Sequence, residues 1–264
     1  MVAESLPGAA IELADVVKRF GAHKVLRGVD FAVPEGEITV LLGPSGAGKT
    51  VTISHVVGLI HPDEGSVKVD GKVLARLTDL ELNEVRQEMS VVLQGTLPFT
   101  CGLFFSLNVF ENVAFALRQR KRWTEQRIYE QAMSYLGLVG LRDRADAMPD
   151  QLSAGMCKRV AIARSLALEA RIVIIDDFDS GIDGVRLSLL CDTLIELQRV
   201  TGSTFLVSTH SMRSARRLAD HVVVIHDGEI VASGPAAETL DSSEPLVRQL
   251  VTGATSGPIQ LRDV

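Results

Sequence analysis

The chain lacks most of what would place it outside the ordinary globular proteins. It has three cysteines, Cys101, Cys157 and Cys191, far apart and odd in number. They form neither a disulfide framework nor a metal-binding motif, so buried, inert thiols are expected at all three. No apolar run approaches the ~20 residues of a membrane-spanning helix. The opening residues, Met1-Val2-Ala3-Glu4-Ser5-Leu6-Pro7-Gly8, lack the basic and apolar parts of a secretory leader. A cytosolic location is therefore expected, with seating on a membrane protein left open. There is no excess of positive charge: the formal net charge is −6, which argues against a sequence-independent nucleic-acid binder. Repeats and low-complexity segments are absent. What remains is 264 residues, 46% hydrophobic and 23% charged. That is enough for one compound domain or two small ones with a sizeable core.

One stretch carries more chemistry than any other. Gly43-Pro44-Ser45-Gly46-Ala47-Gly48-Lys49-Thr50 fits the spacing of a phosphate loop. It follows the apolar run Ile38-Thr39-Val40-Leu41-Leu42, which reads as a buried strand, and precedes Val51 to Gly58, which can continue as a helix. Successive backbone N–H groups at a glycine-rich turn form an anion-binding concavity. The helix N-terminus adds unpaired donors and a positive dipole end. In such a loop Lys49 sits on the β- and γ-phosphates of a nucleotide and the Thr50 hydroxyl on Mg²⁺.

The rest of the pattern alternates. Ile11–Val17 and Val25–Val33 read as strands about a turn at Phe20-Gly21-Ala22-His23, and Gly65–Val69 with Val73–Ala75 as a hairpin through Asp70-Gly71. Glu81–Glu88 reads as a helix and Met89–Leu93 as a short strand. From about 98 to 159 the pattern is helical, with Val109, Phe110, Val113 and Leu117 at helical spacing and N-caps at Thr124 and Ser153. Ile172–Ile175 and Thr204–Ser208 read as strands, Val185–Val200 and Ser211–Ala219 as helices. His221–His226 and Glu229–Ser233 form a hairpin through Asp227-Gly228. Strands alternating with helices imply a parallel sheet with helices on both faces. From Asp241 the chain is a tail, helical over Pro245–Val251 and then rich in small and polar residues.

Two further motifs follow. Ile172-Val173-Ile174-Ile175 runs into Asp176-Asp177 at a strand end, where ligands of parallel sheets bind. Asp176 suits a Mg²⁺-holding carboxylate and Asp177 a group that orients an attacking water. Leu152-Ser153-Ala154-Gly155-Met156 lies at a helix N-terminus shortly before that strand. With this segment the chain resembles the ABC-type ATPases, whose signature is L-S-G-G-[QM]. The resemblance covers essentially the whole chain. It implies an α/β P-loop NTPase: a RecA-like parallel sheet core, an antiparallel β-subdomain, an inserted α-helical subdomain and a C-terminal extension. It places the ATPase domain at 8–240, the helical insertion at about 98–159 and the tail, a candidate partner or dimer contact, at 241–264.

The same resemblance assigns roles. Phe20 matches the aromatic residue that stacks on adenine. Gln94 matches the glutamine that senses the γ-phosphate and Mg²⁺, so the metal set is Thr50, Gln94 and Asp176. Ser153 and Gly155 reach the γ-phosphate bound by a second subunit in a head-to-tail dimer. Ser180-Gly181-Ile182-Asp183 matches the D-loop, with Asp183 at the nucleotide interface, and His210 in Ser208-Thr209-His210 matches the switch histidine. Catalysis would then rest on Asp177, His210 and Gln94, with ATP and Mg²⁺ as cofactors. Gly102 to Phe115, Met156, and the tail segments Ser243–Leu250 and Gly257-Pro258-Ile259 resemble ATPases of Mce/Mla lipid-transport systems. That branch implies a second ATPase subunit, multi-spanning permease subunits, MCE-domain proteins and a seat on the cytoplasmic face of the plasma membrane. Another importer branch, a regulatory subunit paired with a paralogue, and a soluble ATPase acting on nucleic acid are the rival readings.

The chain departs from the family pattern at Asp177 (usually Glu), Phe178 (usually Pro), Ala154 (usually Gly) and Gly184 (usually Pro), and the segment from Gln94 to Leu103 is longer. Asp is one methylene shorter than Glu, which implies slow hydrolysis. A Cβ at Ala154 would crowd a phosphate. The basic cluster Arg118, Arg120, Lys121 and Arg122 reads as a solvated helix end, or as a contact to anionic lipid or permease. Arg213, Arg216 and Arg217 read as a solvated helix face.

Overall fold

The computed structural model describes residues 8–93, 102–120 and 123–260. Gln94, Cys101, Lys121 and Arg122 lie outside the described residues. In chain order the strands are β1 (Ala9–Phe20), β2 (His23–Pro34), β3 (Ile38–Leu42), β4 (Glu64–Val69), β5 (Lys72–Val73), β6 (Met89–Val92), β7 (Ile172–Ile175), β8 (Thr204–Thr209), β9 (His221–His226) and β10 (Glu229–Pro235). The helices are α1 (Lys49–Val56), α2 (Asp79–Gln87), α3 (Val109–Arg120), α4 (Glu125–Leu138), α5 (Ala154–Ala167), α6 (Gly184–Thr201), α7 (Met212–Leu218), α8 (Ala236–Leu240) and α9 (Pro245–Thr252).

Two sheets form. The six-stranded sheet has the order β10-β9-β3-β8-β7-β6. β9, β3, β8, β7 and β6 run parallel and β10 closes one edge antiparallel. β3 and β7 are buried at every residue, as strands covered on both faces must be. Their side chains split with period two. Val40, Leu42, Val173 and Ile175 join the core shared with α3, α4, α5 and α6. Leu41, Ile172 and Ile174 join the core shared with α1, α2 and the second sheet. That second sheet is antiparallel, β2-β1-β4-β5. Both Asp-Gly hairpins turn as expected: Asp70 and Gly71 have φ of 48° and 73°, Asp227 and Gly228 of 47° and 79°, the double positive φ of a type I′ turn.

The boundaries differ from the sequence expectation in a few places. α2 begins two residues earlier because Thr78 caps it: its hydroxyl accepts from Glu81 N while its own N–H donates to the Glu81 carboxylate at 2.8 Å. β5 stops at Val73, and Leu74–Arg76 turns into a 3₁₀ segment that buries Leu74. α1 begins at Lys49 itself. α8 was not anticipated; it carries the chain from β10 to α9 and buries Thr239 and Leu240. α5 packs on α3 and α4, and Asn112, fully buried, bonds Phe104 N at 2.8 Å and Leu107 O at 3.0 Å to fix the turn that enters α3. Thr124 and Ser153 cap α4 and α5 as anticipated. Cys157 and Cys191 are buried, and burial pushes the Cys191 thiol up to about 11. Arg118 is paired with Glu111 and Glu125 at 2.5 and 2.8 Å, Arg217 with Asp192 at 2.6 Å and Arg216 with Asp241 at 3.5 Å, so these arginines belong to solvated, charge-paired faces.

Candidate nucleotide site

The loop 43–50 joins β3 to α1. Glycine is required at its base, because a Cβ on Gly43 would collide with the Ile225 carbonyl of β9. Gly48, at φ 104°, caps α1 in the left-handed region, and a Cβ there would meet Leu26 at 2.8 Å. The strand end, the loop and the helix N-terminus thus converge on a cavity of about 490 Å³. Ser45, Gly46, Gly48, Lys49, Thr50, Asp176, Asp177 and His210 are among its lining. The Lys49 ammonium donates to Gly43 O and Pro44 O at 2.8 Å each. Burial pushes its pKa down, opposed by the charges of Asp177, Asp176 and Asp179. A cation held at the loop mouth against a desolvation penalty is suited to an anionic ligand.

Across the cavity, Thr50 Oγ1 donates to Asp176 Oδ2 at 2.8 Å. Asp176 is 1% exposed, and its other oxygen accepts from Ser208 Oγ at 2.5 Å. Ser208 Oγ in turn accepts from Asp177 N at 2.8 Å. A hydroxyl and a carboxylate side by side at a phosphate loop are the hard oxygen donors that Mg²⁺ takes, alongside water and phosphate. Gln94, the third member of the expected metal set, lies outside the described residues.

Asp177 stands in the left-handed region at φ 52°, where aspartate is among the few tolerated non-glycine residues. Ser208 and Lys158 hold the backbone here. The Asp177 N–H bonds Ser208, its carbonyl accepts from Lys158 Nζ of α5, and the next residue, Phe178, donates its N–H to Ser208 O at 2.9 Å. Phe178 is fully buried, so where the family pattern has a proline's φ constraint this chain has a core anchor. His210 stands after β8 with Nδ1 3.8 Å from Asp177 Oδ1 and Nε2 3.2 Å from Asp179 Oδ2. Lys158, Asp179 and Ser208 were not singled out from sequence. Ser208 and Asp179 flank the recognised residues, and Lys158 falls one turn after Gly155 on the signature helix.

The remaining sequence candidates sit elsewhere on the chain. Phe20, half-exposed at the β1–β2 turn, lies outside the cavity lining, with Lys18 Nζ 5.7 Å from its ring centroid. Ser153, Gly155 and Asp183 line a second depression of about 290 Å³ with Gly181 and Met156. Ser153 Oγ caps α5 by accepting from Met156 N at 3.3 Å. Gly155 packs so closely on Gly181 that a Cβ would collide with its carbonyl. The Asp183 carboxylate caps α6 through Arg186 N at 3.1 Å and pairs with Arg186 Nη1 at 2.7 Å, which holds it below the usual carboxylate range. The structure therefore brings the phosphate loop, Asp176, Asp177, His210 and the first D-loop residue, Ser180, together, and gathers Ser153, Gly155, Gly181 and Asp183 at a separate place.

These features are those of a phosphate-loop ATPase of the cassette type. The family model described as ABC transporter matches residues 26–180, and the chain belongs to that family. It binds ATP and is an ABC-type ATPase. It is 36% identical over 256 residues, 97% of this chain and 72% of the relative, to the probable ribonucleotide transport ATP-binding protein mkl of Mycobacterium leprae. It is 34% identical over 252 residues, 96% of this chain and 92% of the relative, to the intermembrane phospholipid transport system ATP-binding protein MlaF of Escherichia coli K12. Among solved structures it is similar to dimeric MJ0796, a bacterial ABC transporter cassette. There the TM-score is 0.77 and the identity 29%, covering 86% of this chain and 98% of that one.

Proposed function

We propose that this chain is the ATP-hydrolysing subunit of an Mce/Mla-type transporter that moves lipid, sterol or fatty acid through the cell envelope. The observation that carries the reading is the similarity to MlaF along almost the whole of both chains. The segment from Gly102 to Phe115, held by Asn112, and the tail add to it. The name of the mycobacterial relative gives ribonucleotide transport as a second reading. No helix among the described residues is long and apolar enough to cross a membrane; membrane passage is assigned to permease subunits, with this chain on their cytoplasmic face and MCE-domain proteins in the same complex.

The division of labour follows from the site. The loop N–H groups and Lys49 bind the phosphates. Thr50 and Asp176 would hold Mg²⁺, with Gln94 as the third expected ligand, and the ion when bound would neutralise charge developing on the phosphates. Asp177 orients the attacking water and His210 contacts the γ-phosphate. Ser153 and Gly155 contact the γ-phosphate held by a second copy, for which the dimeric cassette relative is the support. Closing the head-to-tail pair on ATP would draw the helical layer inward and move the permease; hydrolysis would release it. The short carboxylate of Asp177 makes turnover slow relative to binding, which also suits a regulatory subunit paired with a more active paralogue.

The test is purification of the tagged chain from its host's membranes in gentle detergent, with mass spectrometry of the co-purifying proteins. A permease together with MCE-domain proteins is the expected result. Soluble partners alone, or a permease of another class, would overturn the lipid-transport reading and leave the ATPase assignment standing.

A further inference from the structure

Asp179 has no role in the site as described so far, yet its carboxylate is among the least exposed acids near the cavity. Its side chain is 5% exposed, while that of His210 is 53% exposed and that of Asp177 17%. A buried carboxylate needs partners. Asp179 has two, both from the end of β8. Its Oδ1 accepts from Thr209 Oγ1 at 2.6 Å, and its Oδ2 lies 3.2 Å from His210 Nε2. Thr209, fully buried, also accepts from Ser211 N at 2.9 Å, so the carboxylate is tied to a rigid strand end.

The consequence falls on His210. The carboxylate charge 3.2 Å from Nε2 favours a proton on that nitrogen over a lone pair. With the proton on Nε2, beside Asp179, the other ring nitrogen, Nδ1, is left on the side of Asp177 Oδ1. The ring is thus set between two carboxylates, one buried and fixed, the other at the reacting end of the cavity. The geometry points to Asp179 as a positioning residue for His210: it fixes which ring nitrogen carries the proton and which edge of the imidazole faces Asp177. This rests on the assignment of Asp177 and His210 to the hydrolytic site. Asp179 does not touch substrate; it acts through the histidine.

Asp179→Asn isolates the effect. The amide oxygen can still accept from Thr209, so the shape and the tie to β8 are retained. Its NH₂ would then face His210 Nε2 and favour the opposite tautomer. The chain has six histidines, so ¹⁵N-histidine NMR is tractable, with His210→Gln identifying the resonance. In the wild-type chain His210 is expected to show a protonated Nε2 and, in Asp179→Asn, a protonated Nδ1. ATP hydrolysis is expected to fall about 10- to 100-fold in kcat, as for a reacting group turned out of place, with KM and ATP affinity unchanged. A wild-type spectrum with His210 protonated on Nδ1 alone overturns the inference without any variant. So does an Asp179→Asn protein whose His210 pattern and kcat match the wild type. If His210→Gln itself leaves hydrolysis intact, the assignment of His210 to the site has failed instead.

Discussion

Lengthening the side chain at residue 177 by one methylene tests the reading of this site most directly. Asp177 Oδ1 stands 3.8 Å from His210 Nδ1, and the family pattern has at this position a glutamate, one methylene longer. An added methylene extends the carboxylate by roughly 1.3 Å, the projection of a ~1.5 Å carbon–carbon bond. Misplacing a reacting group by ~1 Å costs on the order of 100-fold, or about 2.7 kcal/mol of barrier. Asp177→Glu is therefore expected to raise kcat by about 10- to 100-fold. The ATP dissociation constant should not move, because the binding proposed above rests on the loop and Lys49 and not on residue 177. A small loss of thermal stability is expected, since φ is 52° at this position and Asp tolerates the left-handed region better than Glu. Steady-state phosphate release, with nucleotide affinity measured in parallel, gives both quantities. An unchanged or lower kcat with intact binding would refute the argument, since the reach of residue 177 would then not limit turnover.

The remaining expectations concern binding, packing and pH. Lys49→Ala should weaken ATP binding by at least about 10-fold, a charge-assisted contact being worth ~1.5–3 kcal/mol; titration with a fluorescent ATP analogue reads it, and wild-type affinity would contradict the phosphate-loop assignment. Gly155→Ala places a Cβ against the Gly181 carbonyl and should cost about 1–3 kcal/mol as overpacking. Differential scanning fluorimetry should show Tm lower by about 2–4 °C per kcal/mol, and an unshifted Tm would mean the D-loop yields freely. Burial lowers the pKa of His55 and of His221 from the ordinary 6.5. The unfolded chain then binds protons that the folded chain does not, so stability is complete above about pH 6.5 and falls as pH drops below it, by up to ~1.4 kcal/mol per pH unit per histidine. His55→Gln should flatten that slope in urea titrations, and an unaltered slope would assign the effect elsewhere.

The architecture was readable because its signals are local. β3 and β7 announce themselves as short apolar runs, both Asp-Gly turns as dipeptides, and α4 and α5 by their capping residues. Lys49, Thr50, Asp176 and Asp177 were found from their motifs and His210 from the family resemblance, and the fold gathers them around one cavity. The parts that escaped are contacts between side chains far apart in the chain. Asp179 meets Thr209 across 30 residues and Lys158 meets Asp177 across 19, and no window of sequence holds both members of either pair. Asp179 follows so closely on Asp176 and Asp177 that it reads as one more acid in a polar loop. Only the burial of its carboxylate sets it apart. The cap of α2 was missed for another reason: Thr78 and Glu81 form their reciprocal pair ahead of the hydrophobic residues that first suggest a helix.

One contact has a bearing on timing. Lys158 grows from α5, whose first turn is the signature segment, and it grips the carbonyl of Asp177; Gly155, on the same turn of helix, rests against Gly181 of the D-loop. The part of the chain that would clasp a partner's nucleotide and the part that would attack its own are therefore one mechanical piece. In a head-to-tail pair, loosening the clasp at one nucleotide would disturb the catalytic carboxylate at the other. The two sites of such a pair would keep a common clock, and a fault in one would be felt as a delay in both.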